Sequence, residues 1–284
     1  MRSALTVTTG LLLVLTGCGS SSLVLAGDPP REPYTGPMRL PVASEDDASV
    51  LERSGAAGRA LECAAEPYAG GSGEYDGGLA SAQRTPREAL ENYFTEEFLP
   101  ELPRADYRVE REDEGRVLFS FDVRGRTKVA FIVADSVRDF NEEEGWGVET
   151  WAQCDPAEFP ASVTDAFDTQ VWQDASGNRV PIAKIWSSQG PEHCGWEDIT
   201  FLTLTTPDGE REYLRDTTGE LRDSLATTFD PSATVPDGAI DTGYEQGGRH
   251  LWLHPDGSAA YLVDKTDPEN VERWPAAKEN IACD

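Results

Sequence analysis

Four cysteines, Cys63, Cys154, Cys194 and Cys283, constrain this chain of 284 residues more than any other feature, because their spacing divides it. Cys63 and Cys154 stand 91 residues apart and Cys194 and Cys283 stand 89 apart. Four cysteines allow three connectivities, and the near-equal separations favour two pairs that each close their own module. A module boundary near residue 159 follows, separating residues 45–158 from residues 159–284. No C-x-x-C occurs, which disfavours a zinc site built on close thiolate pairs. No residue-level repeat relates the two modules, so duplication is unsupported.

The fifth cysteine, Cys18, belongs to a different pattern. One positive charge at Arg2 precedes the apolar run Leu11-Leu12-Leu13-Val14-Leu15, far shorter than the roughly 20 residues a spanning helix needs. Gly19-Ser20-Ser21-Ser22 then interrupts any continuation through Leu23-Val24-Leu25-Ala26, which argues against an uncleaved anchor. Leu15-Thr16-Gly17-Cys18 resembles the lipobox of bacterial lipoproteins. The resemblance implies a signal peptide over residues 1–17, cleavage before Cys18, a diacylglyceryl group on that thiol, and an extracytoplasmic address at the cell membrane. Two acyl chains give stable anchoring at about 0.8 kcal/mol per buried methylene. An oxidising compartment agrees with paired cysteines. Residues 18–44, with Pro29, Pro30, Pro33, Pro37 and Pro41 among Ser and Gly, read as a flexible tether.

Charge narrows the partners. With 52 acidic against 24 basic residues the formal net charge is -28, so phosphate backbones are repelled and nucleic acid is excluded as a partner. Only four of the basic residues are lysines, Lys128, Lys184, Lys265 and Lys278, a bias that together with abundant Ala and Gly fits a GC-rich, actinomycete-like source. The acidity itself reads as a solubilising surface.

In the first module a helix is expected from Ser44, with Asp47 as capping partner and Val50, Leu51, Ala57 and Leu61 on its buried side. Gly70-Gly71-Ser72-Gly73 reads as a flexible loop without the features of a nucleotide loop. A second helix starts with Thr85 as N-cap, Pro86 at its first position and Glu88 reaching back, and it carries Leu90, Tyr93, Phe94 and Phe98 on one face. Strands are predicted at 107–112, 117–123, 127–135 and 146–153, with short turns at Glu114-Gly115 and Arg124-Gly125. The fold class expected is α+β: N-terminal helices on an antiparallel four-stranded meander, similar in order to cystatin-like and nuclear-transport-factor-like folds.

The second module is expected to be β-rich and antiparallel. Strands at 169–173, 180–187, 199–205, 212–215, 250–254 and 259–263 are separated by Ser176-Gly177-Asn178, Asp208-Gly209 and Asp256-Gly257, with a short helix near 220–226. Its segment His193-Cys194-Gly195-Trp196-Glu197-Asp198-Ile199-Thr200-Phe201-Leu202, followed by Tyr213-Leu214-Arg215-Asp216, resembles secreted actinomycete proteins of unassigned function. Five of the seven Trp fall here: Trp172, Trp186, Trp196, Trp252 and Trp274. Core filling accounts for most of them. Trp252 is opposite in phase to Leu251 and Leu253, which makes it the candidate ligand-contact residue. His250 and His254 would stand about 13 Å apart along a strand, too far to share a metal, and His193 sits beside a cysteine.

Enzyme signatures are absent from the sequence. No S-x-x-K, G-x-S-x-G, H-E-x-x-H or Walker loop occurs, and no calcium loop accompanies the Asp-Gly turns. No metal or cofactor is therefore expected. The reading is a membrane-anchored binding or scaffold lipoprotein of the cell envelope without catalytic activity, whose partner is an envelope protein or a glycan. The alternative is a cell-wall-active hydrolase using carboxylates that sequence alone does not identify.

Overall fold

The computed structural model describes residues 24–25, 32–44, 47–73, 82–96, 101–139, 141, 143–207, 209–279 and 281–282. Cys18 and Cys283 lie outside them. Six strands form the first sheet: β1 (Val24–Leu25), β2 (Ala69–Ser72), β3 (Tyr107–Asp113), β4 (Arg116–Val123), β5 (Arg126–Arg138) and β6 (Glu144–Gln153), in the order β1-β3-β4-β5-β6-β2. The turns between β3, β4 and β5 set its register. Both residues of each have positive φ, 45° and 74° at Glu114-Gly115, 56° and 74° at Arg124-Gly125, which matches the twist of paired strands.

Two helices cover opposite faces of this sheet, α1 (Val50–Ala60) and α2 (Pro86–Glu96). Side chains alternate along a strand, so Val117, Phe119, Phe121, Val129, Phe131 and Val133 meet Ala89, Leu90 and Tyr93 of α2. Leu118, Ala130, Ile132 and Ala152 meet Ala56, Ala57 and Ala60 of α1. Burial on both faces explains why β4 and β5 read as apolar runs. The cap of α1 is Ser49 with Glu52 as its reciprocal partner, five residues beyond the expected Ser44 and Asp47. Gly55 (φ 50, ψ -122) kinks the helix. Thr85 caps α2 as predicted, its hydroxyl accepting the Glu88 N–H at 3.1 Å.

The expected α+β class is not what the chain forms. It is mostly β, with sheets of six, four and five strands, and its two long helices have 11 residues each. The four-stranded meander with helices layered on it is replaced by a larger sheet with one helix on each face. One extra strand is β2, which pairs with β6 where a loop is expected. Gly70 makes that pairing fit: a β-carbon there would lie 2.7 Å from the Trp151 carbonyl oxygen and 2.9 Å from Ala152, too close for any other residue. Part of the expected tether is also docked, with Met38 buried against α1 and Tyr34 and Leu40 packed beside it.

Beyond β6 a four-residue helix, α3 (Ala161–Thr164), precedes nine short strands: β7 (Gln170–Val171), β8 (Gln173–Asp174), β9 (Ile185–Gln189), β10 (Ile199–Thr206), β11 (Gly209–Asp216), β12 (Ile240–Gln246), β13 (Arg249–Leu253), β14 (Ala259–Asp264) and β15 (Val271–Pro275). They make one sheet in the order β11-β10-β9-β7 and another in the order β15-β14-β13-β12-β8. The inner faces share a core of Trp172, Ile185, Leu202, Leu204, Tyr213, Leu251, Leu262 and Trp274. Trp172 sits where the chain passes from one sheet to the other, and its indole N–H donates to the Ser187 hydroxyl at 3.1 Å. The helix expected near 220–226 is a single 3-10 turn, Arg222–Ser224. Asp155 ties the two parts of the chain, accepting the N–H groups of Ala157 (2.8 Å) and Ile182 (3.1 Å).

A disulfide joins Cys63 to Cys154 with Cα atoms 5.3 Å apart. Beside it Lys128 Nζ donates to Glu158 Oε2 at 2.6 Å, and Glu158 also accepts the Ala64 N–H at 3.0 Å. Cys194 is disulfide-bonded as well.

A carboxyl pair on the adjoining strands β3 and β4 of the first sheet depends on two bulges. Glu110 lies in the irregularity between Val109 and Arg111, and Thr127 faces Asp122 just beyond a second one. Bulges re-aim side chains. The Thr127 hydroxyl lies 3.3 Å from Glu110 Oε2 and 3.2 Å from Asp122 Oδ1, one proton for two acceptors. Burial raises both carboxyls above their ordinary range, and a neighbouring carboxylate adds to it, Asp122 for Glu110 and Glu62 for Asp122. A carboxyl raised in the folded state costs stability progressively as pH rises from its unfolded to its folded value. The double variant Glu110→Gln/Asp122→Asn is therefore expected to gain on the parent protein as pH rises above about 4, the unfolded value. Urea midpoints at successive pH values above it measure the difference; a gap that does not widen with pH contradicts the assignment.

Candidate functional site

Three side chains on neighbouring strands form a row on the outer face of the four-stranded sheet. Thr203 of β10 is paired with Trp186 of β9 on one side and with Glu212 of β11 on the other. Their chain neighbours Ile185, Leu202, Leu204 and Tyr213 point into the core, so alternation turns these three outward. Farther along the same face, Ile199, Phe201 and Leu214 are covered by Leu221, Leu225, Ala277 and Ile281. Beyond that cover the face opens into a cleft of about 620 Å³ whose lining includes Trp186, Thr203, Glu212, Asp256 and Lys278.

The floor of the cleft holds polar atoms without partners. Thr203 is 3 % exposed, and neither its Oγ1 nor Glu212 Oε2 makes a hydrogen bond. A buried polar atom left unpaired costs about 1–3 kcal/mol. Burial raises the Glu212 carboxyl above its usual range, and the Ile281 N–H only partly offsets this. Trp186 is half-buried, leaving part of its indole open to the cleft. An aromatic surface beside unpaired acceptors is the composition of a site for a small polar ligand.

The walls come from a sequence repeat inside the second module. Pro-Asp-Gly-x-x-x-Tyr-Leu-x-Asp-x-Thr occurs at 207–218 and again at 255–266. One copy spans β11 and supplies Glu210, Arg211 and Glu212; the other spans the β13–β14 turn and supplies Asp256, Gly257 and Ser258. Both end alike. Asp216 accepts the N–H and hydroxyl of Thr218 at 3.1 and 2.9 Å, and Asp264 accepts those of Thr266 at 2.7 Å each. Gly257 has φ 74°, and the Arg211 guanidinium occupies the space a β-carbon would need there. Asp256 is held down to about 2 by Ser258, whose N–H it accepts at 2.9 Å, and by His254. Lys278 Nζ donates to the Asp223 carbonyl at 2.8 Å.

Trp252 is elsewhere. It lies on the outer face of the five-stranded sheet opposite Tyr261, half-buried beside Ala233 and Val235. Leu251 and Leu253 face the core as its phase requires, yet Trp252 is partly covered and does not reach the cleft. Trp172 and Trp274 are core residues, and Trp196 packs on Phe201. His250 faces Glu245 and His254 faces Asp256. Among the described residues, the one group of three His, Cys, Asp or Glu side chains close enough to hold an ion is Cys63, Cys154 and Glu158, and its thiols are joined in the disulfide. No helix among the described residues is long and apolar enough to cross a membrane. The residues the sequence reading missed are Trp186, Thr203 and Glu212; the repeated Pro-Asp-Gly hairpin is the signal that marks their surroundings. No protein family, curated protein or solved structure matches this chain.

Proposed function

We propose that this protein is an extracytoplasmic lipoprotein, anchored at the cell membrane through a diacylglyceryl group on Cys18, that binds an envelope component in the Trp186–Thr203–Glu212 cleft without turning it over. The observation that carries the reading is the pair of unpartnered buried atoms, Thr203 Oγ1 and Glu212 Oε2, beside a half-open indole. The lipobox-like leader and the Cys63–Cys154 disulfide support the location.

Two measurements test it. Cys18→Ala is expected to move the protein from the membrane fraction to the medium or to leave an unprocessed precursor, whereas high salt leaves the parent protein bound, because acyl chains and not charges hold it. A parent protein that partitions into the aqueous phase of a detergent extraction refutes the anchor. The full chain is also expected to be retained by delipidated envelope material, and the variants Trp186→Ala and Thr203→Val are expected to lose that retention. Thr203→Val has a second signature: it removes an unpaired hydroxyl, so the free protein should be no less stable than the parent. Undiminished retention by both variants refutes the binding site.

One observation favours hydrolysis as a second reading. A raised carboxyl, Glu212, and a lowered one, Asp256, line the same cleft, as an acid and a base do in one active site. Binding is preferred because Asp256 is committed to its own turn, accepting from Ser258 and facing His254. Release of reducing ends from envelope material, lost in Glu212→Gln, would decide for hydrolysis.

A further inference from the structure

We propose that the cleft is a carbohydrate site and that it takes a neutral or amino-bearing pyranose, not an acidic sugar; the inference rests on the reading of the cleft as the binding site. A pyranose has one face of C–H groups and a rim of hydroxyls. Trp186, Thr203 and Glu212 offer the complement in one cross-strand row, an aromatic surface followed by a hydroxyl and a carboxylate oxygen that both lack partners. Neighbouring strands are about 4.8 Å apart, so a ring stacked on Trp186 brings its rim over Thr203 and the next group over Glu212. A purely apolar ligand would leave both oxygens unpaired, which the site penalises. Sugar hydroxyls donate to both.

Charge selects among sugars. Glu210, Glu212, Asp256 and Glu279 line the cleft against two cations, Arg211 and Lys278. Lys278 donates to the Asp223 carbonyl, the Arg211 guanidinium lies against Gly257, and four carboxyls outnumber two cations. The field is therefore negative, and it repels uronates and sugar phosphates while favouring an ammonium. An amino group on the ring would meet Glu212 as a donor and bring its raised carboxyl back towards ionisation.

Titration calorimetry of the full chain with a glucosamine oligomer, a glucose oligomer, a galacturonate oligomer and a lysine peptide tests the assignment. Expected are binding of the first two, at least tenfold weaker binding in Trp186→Ala and in Thr203→Val, and no binding of the galacturonate oligomer at the same concentrations. Thr203→Val keeps the test informative if Trp186→Ala melts early. Equal affinity for the galacturonate oligomer, binding of the lysine peptide alone, or affinities untouched by both variants would overturn the proposal. Envelope retention that depends on the cleft without binding of any sugar oligomer defeats the carbohydrate class and leaves the binding function standing. Sugar binding in the cleft with retention unchanged by the variants defeats the function proposed above and leaves the carbohydrate site standing.

Discussion

The double variant Cys63→Ala/Cys154→Ala is expected to lose about 4 to 5 kcal/mol of stability, the chain-entropy value for a closed loop of this length. The loop spans 91 residues and contains β2 to β6 with α2, nearly the whole first sheet. Unlinked, those strands have far more ways of being apart when unfolded, and the native contacts must offset that extra freedom. Losing the sulfur of Cys154, a residue that is fully buried, adds a small packing term of the same sign. Urea unfolding of the two proteins measures the difference, and the slope with denaturant should rise in the variant because its unfolded chain is less compact. A loss below about 1 kcal/mol would mean that the first sheet keeps residual structure without the bridge. Peptide mapping without reduction is expected to recover Cys63 linked to Cys154 and Cys194 linked to Cys283. Trp196 and Ile281, each two residues from a cysteine of the second pair, pack against the same cluster of Ile199, Phe201, Leu214, Leu221 and Leu225.

Strands β3 to β6 are legible in the sequence because each carries a run of apolar or alternating residues between turns whose Gly marks positive φ. The strands that make the protein mostly β are not. Ala69–Ser72 has no side-chain pattern, since Gly70 serves the closeness of β6 and not a core. Ile240–Gln246 has Ile240 as its one aliphatic residue and Gly243 in its middle, and Val271–Pro275 ends in a residue that demotes strand assignments. Weighing only patterned segments therefore overstates the helices and gives an α+β class. α1 shows the same limit: small residues bury it against Ala130 and Ala152, and small residues carry little hydropathy signal.

The site is less legible than the fold. Alternation correctly turns Trp252 away from Leu251 and Leu253, but whether an outer face is open depends on what irregular chain crosses it. Residues Ala233 and Val235 cross that one. Trp186, Thr203 and Glu212 come together only through the register of two hairpins, and no spacing between residues 186, 203 and 212 announces it. What the sequence does carry is the twelve-residue hairpin motif at 207–218 and 255–266. Its two copies meet with opposite phase: Tyr213 faces the shared core and Leu214 the outer face, whereas Leu262 faces the core and Tyr261 the outer side. Identical residues thus serve different layers, and the repeat preserves the turn and its Asp cap more faithfully than the packing.

Phe131→Ala is expected to cost about 3 to 5 kcal/mol, the range for removing a fully enclosed aromatic ring. Phe131 has no exposed surface. Tyr93, Phe94 and Tyr107 approach it edge-on with ring centres 5.8, 5.5 and 5.5 Å away, and Trp151 stacks at 6.5 Å. These rings come from α2, β3 and β6, so the cavity left by truncation is walled by three separate elements that cannot all close on it. The prediction has a contrast within the same protein. Trp252→Ala removes a larger ring from a half-covered surface, and with Tyr261 and Val235 as its chief neighbours the expected cost is about 1 to 2 kcal/mol. Thermal melting of the two variants orders them. If Trp252→Ala were the more damaging, the outer face of the five-stranded sheet would be a core layer in its own right. Binding adds the independent readout: neither ring lines the cleft, so each variant, wherever it is still folded, should hold the ligand as the parent protein does.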